Sequence, residues 1–418
     1  MDSSPLKQHH ANALKPRLGQ HAWCKRSIPR QIGKNALGRC LSPAAIIRTA
    51  ILILLPLLST GCDLFKARAP GIGKPVAWSE LPGWEKDRLV DAWPVLLAQC
   101  PRVSRKDQGW QAICTAAADI PADDENAIRH FLQTRFVPHE ILGRKGTREG
   151  LITGYYQPIL LGSRKPSAKY RYPLYARPDE LLKIELGELF PELKGKRVRG
   201  RLVGSKVIPF YARSEIEQEP SPLKGQELLW IDDPYGAFFL QIQGSGKVRL
   251  DDGSLVGVNY ADQNGHPYVS IGKKLVEMGA MPLEDVSLFS IRSWLERHPE
   301  QADNLLNSNP SYVFFTLRKN ADENPRGSLN VPLTDLRSVA VDRKVIPLGS
   351  LLWLDTTLPR GQALQRLMFA QDTGGAINGP VRADVFFGTG KQAEQWAGSM
   401  KQAGRVYILK PGTGQDSD

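Results

Sequence analysis

Histidine and cysteine are scarce in this 418-residue chain, at seven and five. Three histidines fall within the first 21 positions, which leaves His130, His139, His266 and His298, widely scattered. That scatter offers neither a zinc ligand set nor a Ser-His-Asp arrangement. His139-Glu140 lacks the second histidine of a metalloprotease helix, and no C-x-x-C pair occurs. Gly244-Ser245-Gly246-Lys247 resembles the end of a phosphate-binding loop. However, Gln241 stands where the loop's first glycine belongs, and Val248 where Ser or Thr should follow the lysine. Gly388-Thr389-Gly390 lacks the third glycine of a dinucleotide fingerprint. No metal and no organic cofactor is therefore expected. No apolar run reaches the roughly 20 residues that cross a bilayer.

Acid is nearly missing from the first 61 positions, which hold nine basic residues and only Asp2. The whole chain carries 55 basic and 43 acidic residues; beyond this leader 46 and 42 remain, so the body is nearly balanced and needs no nucleic-acid partner. Within the leader, Arg48 precedes the apolar run TAILILLPLL (49–58), then Ser59-Thr60-Gly61 and Cys62. These are the parts of a secretory signal. A cysteine after small residues resembles a bacterial lipobox, with Ser59 in place of its usual leucine. Residues 1–61 are read as a leader and Cys62 as a lipidation site that would tether the protein to a membrane without a spanning helix. Export makes Cys100 and Cys114 candidates for a disulfide, the alternative being two buried thiols.

Hydrophobic residues make up 41% and charged residues 23% of the chain, enough to bury a sizeable core in two or three domains. Residues 79–99 have helical apolar spacing with Pro94 as the expected break, and 124–136 place Ile128, Phe131, Leu132 and Phe136 on one helical face. From about 150, short β-rich runs alternate with turns, including LLWIDDPYGAFFLQIQGSGKVRL (228–250) and the turn dipeptides Asp252-Gly253 and Asn264-Gly265. Residues 284–298 read as a helix. Strands dominate from 311 onward, interrupted by a helix at 391–403 that Thr389 is placed to cap.

The clustered polar chemistry is carboxylate. Asp342 (VAVDRKVIPLGS), Asp372 (FAQDTGG) and Asp384 (RADVFFG) each sit beside a turn or within a strand. Alternation in RADVFFG puts Ala383, Val385 and Phe387 on one face and Arg382, Asp384 and Phe386 on the other. A carboxylate inside an apolar strand is disfavoured, so Asp384 needs solvent, a partner or a task. Asp372 before Gly374-Gly375 also fits a simple turn-former.

The series VAVDRKVIPLG…FAQDTGGAINGPVRADVFFGTG…GRVYIL resembles the three-aspartate "3D" module. With GYYQPILLGSR, FYARSEI, FLQIQGSGKVRL, YADQNGHPYVSIG and NPSYVFFT in order, the exported body resembles the membrane-bound lytic murein transglycosylase A family. The resemblance implies a mainly β protein with flanking helices, in which a double-psi β-barrel domain is formed by both chain ends (62–156 plus 262–410, the 3D module at 331–410). A smaller β-domain is inserted at 157–261, and 411–418 form a tail. It implies a lipid-anchored periplasmic enzyme at the inner leaflet of the outer membrane, although Asp63 after Cys62 is a cue for inner-membrane retention. Its partner would be peptidoglycan glycan strands. It implies Asp384 as acid and base, with Asp372 and more weakly Asp342 in support. Gln157 stands where many relatives have Glu.

Such an enzyme cleaves the β-1,4 bond between N-acetylmuramic acid and N-acetylglucosamine without water, and the muramoyl 6-hydroxyl closes onto C1. Because that nucleophile is intramolecular, one carboxyl group could serve where hydrolysis uses two. Protonating a free Asp (pKa about 3.9) at pH 7 costs roughly 4 kcal/mol, so Asp384 is expected to be raised by burial beside Phe386 and Phe387 and by Asp372, with Arg382 pointing elsewhere. Gln241, Gln243 and Ser245 are candidates to bind sugar hydroxyls from a strand edge. Tyr155, Tyr156 and Tyr260 are candidates to stack on sugar rings, and Gly374 and Gly375 to let the glycan approach. A two-carboxylate hydrolase and a non-catalytic wall-binding lipoprotein are the competing readings.

Overall fold

The computed structural model describes residues 69–412 apart from 106, 197 and 319; the leader, Cys62 and all but the start of the 411–418 tail lie outside the described residues. Strand β1 (Gly71–Pro75) leads through short 3-10 turns to helix α1 (Trp93–Val103). Pro94 starts this helix rather than breaking one: it lacks an N–H, and the first helical turn has no partner for one. Helix α2 (Gln108–Ala118) follows, stapled to α1 by the Cys100–Cys114 disulfide. Helix α3 (Glu125–Arg135) begins where Asp124 accepts from the backbone N–H of Asn126 and Ala127, and it buries Ile128, Phe131 and Leu132. Phe136 already opens β2 (Phe136–Leu142).

After β3 (Gly150–Gln157) the chain enters a second sheet at β4 (Ile159–Ser163) and continues through β5 (Tyr172–Tyr175). A three-stranded piece of β6 (Leu182–Ile184), β7 (Val198–Val203) and β8 (Lys206–Ile208) comes next, then α4 (Arg213–Ile216) and β9 (Glu227–Ile231). Helix α5 (Pro234–Gln243) occupies the middle of a stretch that reads as strand. Local signals override the apolar pattern there: Asp233 accepts from the N–H of Tyr235, Pro234 sits in the first turn, and Gly244 ends the helix at φ +78°. Strands β10 (Ser245–Leu250) and β11 (Leu255–Gln263) form a hairpin across Asp252-Gly253. Helices α6 (Ile271–Glu277), α7 (Leu288–Arg297) and α8 (Pro299–Asn307) precede β12 (Val313–Arg318).

The second sheet has the order β12-β11-β10-β4-β9-β5. Position 262 lies within β11, which pairs with β12 from Gly257↔Arg318 to Gln263↔Val313, so the strands of this sheet extend to Arg318. Phe315 of β12 packs with Leu229, Val248 and Val258, a burial that holds β12 in this sheet.

The chain then returns to the first sheet with β13 (Ser338–Val341), β14 (Leu351–Thr357), β15 (Ala363–Asp372), β16 (Arg382–Thr389), helix α9 (Lys391–Ser399) and β17 (Lys401–Pro411). Its order is β1-β2-β17-β14-β15-β13-β16-β3, and the start of β17 also pairs with β3. Thr389 does not cap α9. Gly390 precedes the helix without a side-chain cap, and the Thr389 hydroxyl donates to Gln157 Oε1 at 3.0 Å. The architecture is mainly β with flanking helices, as expected.

Helices α1–α3 and the 3-10 turn Trp84–Lys86 cover one face of the first sheet, packing Trp84, Trp93 and Phe131 against Trp353, Leu367 and Phe369. A buried ion pair anchors that layer: Arg337 donates to Asp87 at 2.7 and 2.9 Å, and Asp87 also accepts from the N–H of Leu367 at 2.8 Å. Removing one partner strands a buried charge, so Asp87→Ala should cost about 3–5 kcal/mol in denaturant unfolding. The Asp87→Leu/Arg337→Met double variant should lose less than Asp87→Ala.

Candidate active site

Strand β16 lies between β13, which places Ala340 opposite Asp384, and β3, which runs parallel and places Thr153 opposite Asp384. The alternation seen in the sequence holds. Ala383, Val385 and Phe387 enter the main core, whereas Phe386 packs with Tyr155, Leu333, Ala340 and Ile377 on the face that bears Asp384. Phe387 therefore lies on the opposite face and does not wall the carboxyl group.

Asp384 is half-buried, and the Thr153 hydroxyl donates to its Oδ1. Burial pushes its pKa above the usual carboxylate range. The charge of Arg382 and the Thr153 hydrogen bond oppose the shift, and Asp372 adds to it. Arg382 itself turns to backbone, donating to the carbonyls of Ala383 at 2.7 Å and Leu151 at 3.3 Å.

Asp372 ends β15 in a different environment. Its Oδ1 accepts from the Ser328 N–H (3.0 Å), the Ser328 hydroxyl (2.8 Å) and the Thr373 N–H (2.8 Å); its Oδ2 accepts from the Tyr155 hydroxyl (3.0 Å). Burial raises this group too, against the pull of those donors. Asp342 does not reach the same space. It accepts from Lys344 N–H at 3.0 Å and Gly379 N–H at 2.8 Å, fixing the loop between β15 and β16.

Both Asp384 and Asp372 open into a cleft of about 320 Å3. One wall carries Tyr155, Ala340 and the exposed Gly374-Gly375; the other carries Gln241, Gln243, Ser245 and Tyr260. The two glutamines stand at the end of α5, not on a strand edge. Gln241 Oε1 accepts from Arg213 at 2.7 Å and its side chain also bonds the Tyr312 hydroxyl, whereas Gln243 Oε1 accepts from the N–H of Tyr156 at 3.0 Å, which leaves the Gln243 NH2 to act as a donor. Tyr156 does not line the cleft: it is a core residue whose hydroxyl donates to Glu394 at 3.0 Å. A groove walled by aromatic and amide side chains around a raised carboxylic acid suits a polyhydroxylated polymer and proton transfer to it.

Three cleft-side residues escape the sequence reading. Thr153 was legible in principle, because alternation in LITGYY puts it on the Tyr155 face. Ser328 and Arg326 lie on a loop 44 and 46 positions from Asp372, with no local pattern.

Residues 151–316 match the model of the MltA specific insert domain, and 337–410 match that of the 3D domain. Membrane-bound lytic murein transglycosylase A of Escherichia coli K12 is 35% identical over 272 residues, which are 63% of this chain and 66% of that one. The solved structure of the lytic transglycosylase LtgG of Burkholderia pseudomallei is 40% identical, covers 83% of this chain and 97% of its own, and has a TM-score of 0.55. The chain belongs to the membrane-bound lytic murein transglycosylase A family. A structure of the Escherichia coli family member with bound chitohexaose is also similar, at 25% identity and a TM-score of 0.60, over 83% of this chain and 97% of that one.

If the Thr153 hydroxyl orients and moderates Asp384, Thr153→Val should lower kcat by roughly tenfold with KM little changed. Losing a donor to the carboxylate raises its pKa further, so the alkaline limb of the pH–rate profile should move up. Thr153→Ser should restore both.

Proposed function

We propose that this chain cleaves the β-1,4 bond between N-acetylmuramic acid and N-acetylglucosamine in peptidoglycan without water, leaving 1,6-anhydromuramoyl ends. The protonated Asp384 gives its proton to the glycosidic oxygen as the C1–O bond breaks. The muramoyl O6 bonds to C1, and its proton passes to the Asp384 carboxylate. The acid is thereby restored with no water consumed. The carrying observation is the contrast between the two carboxyl groups: among the described residues four donors occupy both oxygens of Asp372, whereas Asp384 accepts one side-chain hydrogen bond in the same cleft. A group so fully engaged is poorly free to activate water, which disfavours the hydrolase reading. A raised carboxylic acid in the cleft disfavours the purely binding one.

The double-psi barrel fits the pairings of the first sheet. β17 pairs with β14 and, through Lys401–Gly404, with β3, in addition to β2, so the pairings run in turn through β17, β14, β15, β13, β16 and β3 and back to β17. The proposed insert extends to Arg318, because β11 crosses position 262 and pairs with β12 in the second sheet. Tethering in the cell envelope through lipid on Cys62 rests on the leader and on the relatives' name.

Asp384→Asn should slow solubilisation of purified cell wall by about 10³-fold. Wild-type products should be lighter by one water than hydrolytic ends; water-containing ends, or full activity in the variant, would sink the proposal. Activity of the parent should fall as pH rises through the elevated Asp384 value. Stability has the same sign. Between the ordinary carboxylate value of 3.8 and the raised one, the native state holds more protons than the unfolded state, so stability drops as pH climbs through that window. Asn removes this cost, and the inactive variant should melt no lower than the parent at neutral pH.

A further inference from the structure

The cleft is lined by two carboxylic acids and two cations, Arg213 and Arg326. Arg213 is 1% exposed and fully engaged with Glu217, Gln241 and the carbonyls of Asn309 and Ser311. Arg326 is exposed and makes no ion pair among the described residues; one guanidinium nitrogen donates to the Asn330 carbonyl at 3.1 Å. Its loop is held firmly. Ser328 bonds Asp372, the Leu329 N–H donates to the Gln371 carbonyl at 2.9 Å, and Arg326 bridges Pro332. Gly327 sits so close to the end of β15 that an added Cβ would lie 2.5 Å from the Gln371 carbonyl. Two residues span at most about 7 Å, so the Arg326 backbone lies within a sugar's breadth of the group that binds Asp372.

We infer that Arg326 reads the carboxylate carried by the muramoyl substituent, and so sets a preference for peptidoglycan over neutral N-acetylglucosamine polymers. This inference rests on the function proposed above. The chemistry requires such a group. The muramoyl ring bears a lactyl ether on C3, ending in a carboxylate or continuing into an acidic peptide, and it must enter a cleft that already holds the carboxylate of Asp372 beside the protonated Asp384. Like charge repels it there, and a fixed guanidinium on the wall offsets that repulsion while offering two parallel donors to a carboxylate.

Binding is measured by calorimetry in the full chain with Asp384→Asn, which prevents turnover. The probes are chitohexaose, glycan strands stripped to free lactyl groups, and strands with intact peptides. Arg326→Ala should weaken both muramoyl ligands by about tenfold and chitohexaose by less than about threefold. Arg326→Lys should fall between. The preference for muramoyl ligands should shrink with salt in the parent but not in Arg326→Ala. A loss confined to stripped strands assigns the lactyl carboxylate, and one confined to intact strands assigns the peptide. Equal losses on all three ligands, or none on any, overturn the inference. Failure of the chain with Asp384 intact to release anhydro products would instead overturn the proposed reaction, leaving the binding preference standing.

Discussion

The parallel ladder between β3 and β16 is the constraint on which the site depends. It joins segments 231 positions apart, puts Thr153 against Asp384, and brings Tyr155 alongside Phe386. A carboxyl group in the middle of a strand between two others is costly to bury. Here the cost is reduced by leaving one side of the strand open to a cleft and supplying one hydroxyl, without a neutralising ion pair. What remains uncompensated is what raises the acid. Shifting β16 by one residue would turn Asp384 into the core that holds Ala383, Val385 and Phe387, so the apolar alternation that fixes the register also fixes which way the carboxyl group faces.

The two aspartates show how one sheet can give identical side chains different properties. Asp372 lies at a strand end, where backbone N–H groups are unpaired and can turn toward it, and the Ser328 loop and Tyr155 add two hydroxyls. Asp384 lies mid-strand, where the ladder consumes the backbone donors. Position along a strand thus decides how many donors a carboxylate can collect, and with that its readiness to exchange a proton.

Much of this was legible from the sequence where the signal is local. The alternation of RADVFFG set the face of Asp384, Asp124 marked the start of α3, and Asp252-Gly253 marked the hairpin. The misreadings also share a cause. In DDPYGAFFLQIQG a run of apolar residues outweighed Asp233, Pro234 and Gly244, which together specify a helix, so Gln241 and Gln243 were assigned to a strand edge. Pro94 reads as a breaker, yet the first helical turn tolerates it. Tyr156 neighbours Tyr155 in sequence, but adjacent strand residues point to opposite faces, and its ring joins the core. Ser328, Arg326 and the pairing of β12 with β11 were beyond reach for a different reason: each depends on contacts between distant segments that no window of sequence contains.

The division of labour between the two sheets follows from the chemistry. The first sheet supplies the acid and its electrostatic setting; helix α5 supplies Gln241 and Gln243, and the second sheet Ser245 and Tyr260, across the cleft. A reaction whose nucleophile is already attached to the substrate needs no residue to hold a water molecule; it needs the sugar ring oriented so that O6 stands over C1. Side chains that bind the polymer on either side of the bond can do that from a distance. Under the proposed reaction, polar side chains from α5 and the second sheet and a single exchangeable proton on the first are two parts of one solution, in which binding geometry takes the place of a second carboxylate.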